Sequence, residues 1–235
     1  MTSALPEALQ GPTASISAHA GSAAAHLRRG FGPRVRKLHA RIGKAHHHAE
    51  GLAFSRRLLA GEATPLQLAA LLHNLAPAYG VLEQTAPNLA RSLGADQLPW
   101  PQLRRSEALR RDLDQLAVLP DPPDAIAARD WLERLQQLAS QHHQRLLAHV
   151  YVRYGGDLSG GQQLAAQARV IVARHGLPPL AFWSFAAPVE ELKLALHQGF
   201  EQLQLNEAEE REFLDEAEFA FLLTQRLLAE LDTFA

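Results

Sequence analysis

No cysteine occurs among the 235 residues. Disulfides, thiolate-bound metals and cysteine nucleophiles are therefore excluded. No apolar run approaches the ~18 residues that a membrane span needs. The opening stretch, MTSALPEALQGPTASISAHAGSAAAH, lacks a basic start followed by an apolar block, so no secretory signal is expected. Neither sign of charge dominates: the formal net charge is -2. That balance gives no support for a nucleic-acid surface. The most basic segment, Arg28, Arg29, Arg34, Arg36 and Lys37, reads as a solvated helix start. These absences predict a cytoplasmic, monomeric protein with no membrane and no nucleic-acid partner. The composition, 47% hydrophobic and 20% charged, suits one ordinary domain with a sizeable core.

Strand-like alternation is almost lacking, whereas helical patterns follow one another. Residues 1–31 are rich in Ala, Ser, Gly and Pro and are expected to be a flexible tail. The folded domain is expected over 32–235. A helix over 33–50 starts after Gly32-Pro33. The segment 51–61 places Leu52, Phe54, Leu58 and Leu59 near one face. TPLQ at 64–67 predicts a helix start, with Thr64 as cap, Pro65 at the first helical position and Gln67 completing a capping box. Pro77 is expected to bend that helix without ending it. Residues 87–103 hold three prolines and read as a connection. An amphipathic segment spans 104–118, and LPDPPD at 119–124 is a turn. One long pattern then runs from 125 to about 175 until HGLPPL breaks it. Pro188 with Glu190 and Glu191 starts another helix. NEAE at 206–209 is a second capping box, opening a helix that runs to about 231. The fold class is all-α, a single helical domain.

Two stretches stand apart from this pattern. AHHHAEG carries His46, His47 and His48 among twelve histidines. Three neighbours on a helix point about 100° apart, so they cannot all face one site. His39 precedes His46 by about two turns, which places His46 best to share a surface with it. From the residues alone the stretch is either a polar helix face or the source of one inward ligand. YGGDLSGGQ, 154–162, puts four glycines in a helical context, each costing roughly 0.5–1 kcal/mol relative to alanine. Gly156 and Gly160, four apart, are expected on one face. A helix crossing, a loop, or a backbone lying against a flat ligand would all explain them. A phosphate loop does not, since no GK[ST] and no preceding strand are present. Zinc and di-iron chemistry also lack their signatures: HExxH is absent and no pair of Glu-x-x-His motifs exists. A haem needs only one proximal histidine, an apolar slot and partners for its propionates.

The stretch AHVYVRYGGDLSGGQ, 148–162, resembles the distal-helix signature of the haem oxygenases. HHHAEGLAFSRRLLAGEAT, 46–64, is similar to their proximal-histidine segment. AFWSFAAP and DEAEFAFLLTQRLLAEL are similar to their later helices, so the resemblance covers roughly 33–232. It implies a helical domain with haem b sandwiched between a proximal and a kinked distal helix, serving as both substrate and cofactor. It implies O2- and electron-dependent cleavage of that haem to biliverdin, iron and carbon monoxide. A separate reductase or ferredoxin would supply the electrons, and a bilin-accepting photoreceptor is one outlet for the product. By match, His46 is the axial iron ligand, with His47 and then His48 as the register alternatives. Glu50 orients its second ring nitrogen. Gly156 and Gly160 contact the distal face of haem. Asp157 organises the water that delivers protons, with Arg153 and Tyr154 supporting that network. His39, Tyr151, Lys193 and His197 fall at the positions that hold the propionates. Two of these depart from the family, which carries lysine where His39 stands and in many members arginine where His197 stands. Lys37 and Arg41 are the alternative cations near His39.

Overall fold

A computed structural model describes residues 31–234. Within them lie ten helices and no strand: α1 (Pro33–Glu50), α2 (Ala53–Leu59), α3 (Pro65–Ser92), α4 (Trp100–Leu103), α5 (Ser106–Leu116), α6 (Ile126–Ser140), α7 (Leu146–Leu158), α8 (Gly161–Arg174), α9 (Val189–Glu201) and α10 (Glu207–Leu231). The expected tail over 1–31 lies outside the described residues except for Phe31, whose ring packs 4.6 Å from that of His39. Among the described residues no helix is long and apolar enough to cross a membrane.

Local sequence sets two of the helix starts through capping boxes. The Thr64 hydroxyl accepts from Gln67 N, and the Gln67 side chain accepts from Thr64 N, each at 3.1 Å. Asn206 and Glu209 form the second reciprocal pair, at 3.0 and 2.8 Å. Each box satisfies donors that a helix start leaves free. Helix α8 ends in a Schellman motif: Leu177 N donates to Val172 O and Gly176 N to Ala173 O, with Gly176 at φ +67°. Only glycine takes that conformation without strain, which is why HGLPPL stops the helix.

Three expectations need correction. Helix α3 passes through Pro77 and also through Pro87, reaching Ser92. The connection therefore begins at 93, not 87, and α4 interrupts it. Leu89 and Ala90 are buried beyond the second proline, and that burial outweighs the ~3 kcal/mol of a helical proline. The long pattern over 125–175 is three helices. It breaks first at 141–145, where His142 adopts φ +49°, and again at Ser159, between α7 and α8. The basic helix start is only partly solvated. Arg34 is part-buried against Glu210 at 2.7 Å and donates to Phe200 O, while Arg36 and Lys37 are exposed. Arg28 and Arg29 lie outside the described residues.

Helix α10 is the hub, packing on α1, α6 and α7, while α3 packs on α5 and α6. Its ion pairs with α1 run from Arg34–Glu210 to Arg41, which meets both Asp215 and Glu218. Gln225 donates to Ala45 O at 2.6 Å, one residue before His46. At the other end, the Glu201 carboxylate of α9 caps α1, accepting from Val35 N at 2.7 Å and Arg34 N at 3.2 Å. A Cβ at Gly32 would strike that carboxylate. Helix α1 is thus pinned along its length, with one edge turned to a cleft.

Candidate functional site

The cleft has a volume of about 530 Å³ and lies between α1 on one side and α7–α8 on the other. Of the three consecutive histidines, only His46 lines it. The His47 side chain is 94% exposed, and His48 points to solvent as well. One turn on, Glu50 Oε1 lies 3.6 Å from His46 Nδ1, an ion-pair distance longer than a hydrogen bond. The His46 ring sits 5.7 Å from that of Phe221 of α10.

Part of the α7–α8 wall is glycine. An added Cβ at Gly155, Gly156 or Gly160 would meet nothing within 4 Å, and all three residues line the cleft. The expectation that Gly156 and Gly160 share one helix face is corrected: the chain breaks at Ser159, so Gly156 closes α7 and Gly160 opens α8. The local consequence is the same, since both leave side-chain-sized space along the cleft. Gly161 differs, because a Cβ there would come within 3.0 Å of Trp183.

Asp157 is buried at the cleft wall, 3% exposed. The Tyr79 hydroxyl donates to its Oδ2 and Arg153 Nη2 to its Oδ1, the latter at 3.3 Å. Burial pushes the carboxyl above the usual range, while the Arg153 charge and the Tyr79 hydrogen bond pull it back. Arg153 therefore supports Asp157 directly. Tyr154 does so only indirectly: its hydroxyl donates to Glu83 at 3.1 Å, and its ring packs edge-on against Tyr79. Glu83 also accepts from the backbone of Arg105 and Ser106.

The segment 181–185 forms part of the same wall. Asp112 accepts from Ala181 N and Phe182 N, each at 2.7 Å, and Arg105 donates to Phe182 O and Ser184 O. Two buried charges from the start and interior of α5 thus fix the backbone that presents Phe182 and Trp183 to the cleft. Tyr79, Glu83, Arg105 and Asp112 carry no local signal in the sequence.

At the far end the structure brings together the remaining expected residues. His39 of α1, Tyr151 of α7 and His197 of α9 meet with ring centroids 6.0–6.3 Å apart. Lys193 lines the cleft beside them and pairs with Glu190 at 3.1 Å. Lys37 and Arg41 face α10 and do not line the cleft, so neither stands in for His39. Burial, aided by His39 and Lys193, lowers His197 from 6.5 to about 4. The unfolded chain therefore takes this proton first as pH falls. Between pH 6.5 and 4 stability must drop, with no further loss from His197 below that window. Thermal melts of the ligand-free protein should show this decline, and His197→Gln should flatten it.

Comparisons with known proteins identify the family. The family model described as heme oxygenase matches residues 35–230. Heme oxygenase 1 of Nostoc sp. is 27% identical over 207 residues, 83% of this chain and 84% of its own. Heme oxygenase 1 of Pongo abelii is 30% identical, covering 80% and 68%. Heme oxygenase-1 of Synechocystis sp., solved in complex with heme, superposes with a TM-score of 0.77 at 26% identity over 85% of this chain and 92% of that one. The chain belongs to the haem oxygenase family, haem-degrading oxidoreductases that cleave haem to biliverdin.

Proposed function

We propose that the cleft between α1 and α7–α8 is the haem site, with haem b as both substrate and cofactor and His46 as the axial ligand. One observation carries this reading. His46 alone of its trio lines the cleft, and the α7–α8 wall includes three glycines where an added Cβ would meet nothing within 4 Å. A second observation tests the fit: His197 Nδ1 is buried with no hydrogen-bond partner among the described residues. Buried polar atoms are seldom left so, and a propionate oxygen would satisfy it.

Bound haem supplies the iron that activates O2 and the porphyrin that is opened to biliverdin, iron and carbon monoxide. The chain's residues hold and steer. Glu50 favours a proton on His46 Nδ1 and leaves Nε2 as the ligating nitrogen. Gly156 and Gly160 let the distal backbone approach the ring closely. Asp157 holds a proton at the cleft wall and passes it through water. Tyr79 and Arg153 each bond one of its oxygens, so the carboxylate keeps one orientation. Tyr154 stiffens Tyr79 from behind. Tyr151, His39, Lys193 and His197 receive the propionates. Electrons come from a separate reductase or ferredoxin, since no flavin or nicotinamide motif is present in the sequence. The setting is cytoplasmic, the protein acts as a monomer, and a bilin-accepting photoreceptor is one consumer of the product.

Hemin added to the protein should produce a shifted Soret band. With ascorbate or a reductase and O2, that band should fade while a red biliverdin band rises. A Soret band that survives reductant and O2 contradicts turnover. Hemin that leaves the spectrum unshifted contradicts the haem site itself.

A further inference from the structure

We propose that the end of the cleft formed by His39, Tyr151 and His197 is a proton-linked carboxylate cradle, so that haem binds together with a proton taken up by His197. This rests on the haem reading of the cleft and adds a regulation to it.

Three helices converge here, and what they bring is short of positive charge. From α1 come His39 and, further along, His46. From α7 comes Tyr151; the next cation on that helix, Arg153, is held by Tyr79 and Asp157. From α9 come Lys193, His197 and Glu201. Helix α10 lines the cleft with Phe221, Thr224 and Leu228, none charged. Among the described residues lining the cleft, Lys193 is the single permanent cation beside the two imidazoles, and Glu190 occupies it at 3.1 Å. The Glu201 carboxylate is bound to the first turn of α1; its charge acts on Tyr151, while the charges acting on His197 are those of His39 and Lys193. Phe31 covers both imidazole rings, at 4.6 and 5.0 Å.

Haem brings two carboxylates. Burying a carboxylate against neutral imidazoles and one shared lysine leaves it undercompensated. Protonating an imidazole supplies both the missing charge and an N–H donor. His197 is the better candidate, because its Nδ1 is already buried without a partner. In the ligand-free cradle burial keeps it neutral, with His39 and Lys193 adding repulsion. An arriving carboxylate reverses that local field. The proton count therefore differs between the free and bound states, and haem affinity must depend on pH. His39, whose value burial also lowers, faces the same cradle from the other side.

Calorimetric titration with hemin, in two buffers of different ionisation heat at pH 7, reads the proton number. Uptake of up to about one proton per haem is expected, with affinity weakening by up to about tenfold per pH unit between pH 6 and 8. The dimethyl ester of hemin keeps the iron and ring but lacks the carboxylates, and it should bind without that proton. His197→Arg, a permanent cation, should bind haem with less uptake and a flatter pH profile; His197→Gln should bind more weakly with an equally flat one. Equal proton numbers for hemin and its ester overturn the linkage without recourse to any variant. So does a wild-type pH profile in both variants. A wild-type protein that shows no Soret shift with hemin defeats the haem reading instead, which separates the two failures.

Discussion

His46→Ala is expected to abolish the histidine-ligated haem spectrum and to cut biliverdin formation by more than about 100-fold. Losing a mere neighbour of a metal ligand typically costs about 10–100-fold, so losing the ligand itself should cost at least that. The fold should survive. The His46 side chain is half exposed, and its polar neighbour in the structure is Glu50 at 3.6 Å. Surface substitutions of this kind shift stability by about 0.5 kcal/mol or less. Free imidazole, small enough for the space vacated, should restore part of the Soret shift. His47→Ala and His48→Ala should stay within about twofold of wild type, because both side chains face solvent. Visible spectra of the three variants with hemin decide the matter. Loss of the spectrum in His47→Ala, with His46→Ala intact, would move the ligand by one residue and overturn the assignment.

Asp157→Ala should leave haem bound and lower the rate of ring opening by about 10²–10⁴-fold, the range that a positioned acid or base contributes. It should also weaken the fold by about 1–3 kcal/mol, since Tyr79 and Arg153 lose their shared acceptor in a buried setting. That second effect needs a control. Asp157→Asn preserves the shape and one carbonyl acceptor but cannot exchange a proton at this position. It should melt close to wild type and still fail to form biliverdin at the normal rate. With peroxide, both variants should oxidise a small phenol in place of opening the ring. Chromatographic biliverdin yield and phenol oxidation, measured side by side, test this. An unchanged yield in Asp157→Asn would show that the carboxylate is not the proton donor. Tyr79→Phe removes only one of its two anchors and should have a smaller effect.

What could be read in advance depended on the distance between partners in the chain. Thr64 with Gln67 and Asn206 with Glu209 are three residues apart, so their caps were visible as patterns. The proximal and distal stretches are each contiguous, and their resemblance to one family placed His46, Gly156, Gly160 and Asp157 together. Tyr79, which holds Asp157 together with Arg153, and the residues that hold the wall beside it left no such mark. Tyr79 is 78 residues from Asp157, Arg105 is 77 from Phe182, and Asp112 is 70 from the same residue. A single hydrogen bond across that separation has no period and no motif. Helix breaks divided in the same way. Gly176 announced its own, whereas the break at 141–145 contains neither glycine nor proline and falls on His142 at a positive φ, a conformation uncommon outside glycine. Pro87 erred in the opposite direction, because tertiary burial of Leu89 and Ala90 carried the helix past it.

The break at Ser159 divides the wall of the cleft into halves of unequal stiffness. Before it, α7 buries ten of its thirteen residues, and Asp157 and Tyr154 are tied to α3. After it, α8 buries only Gly161, Ala168, Ile171 and Val172 of fourteen, and its far end is tethered by Arg174 to Gly61 O. Few buried contacts mean low local opening energies. With α1 bolted to α10 and α7 bolted to α3, compliance is concentrated in α8. On the proposed haem reading, a flat ring going in and an opened chain coming out would be accommodated there, at a distance from His46 on α1 and Asp157 on α7.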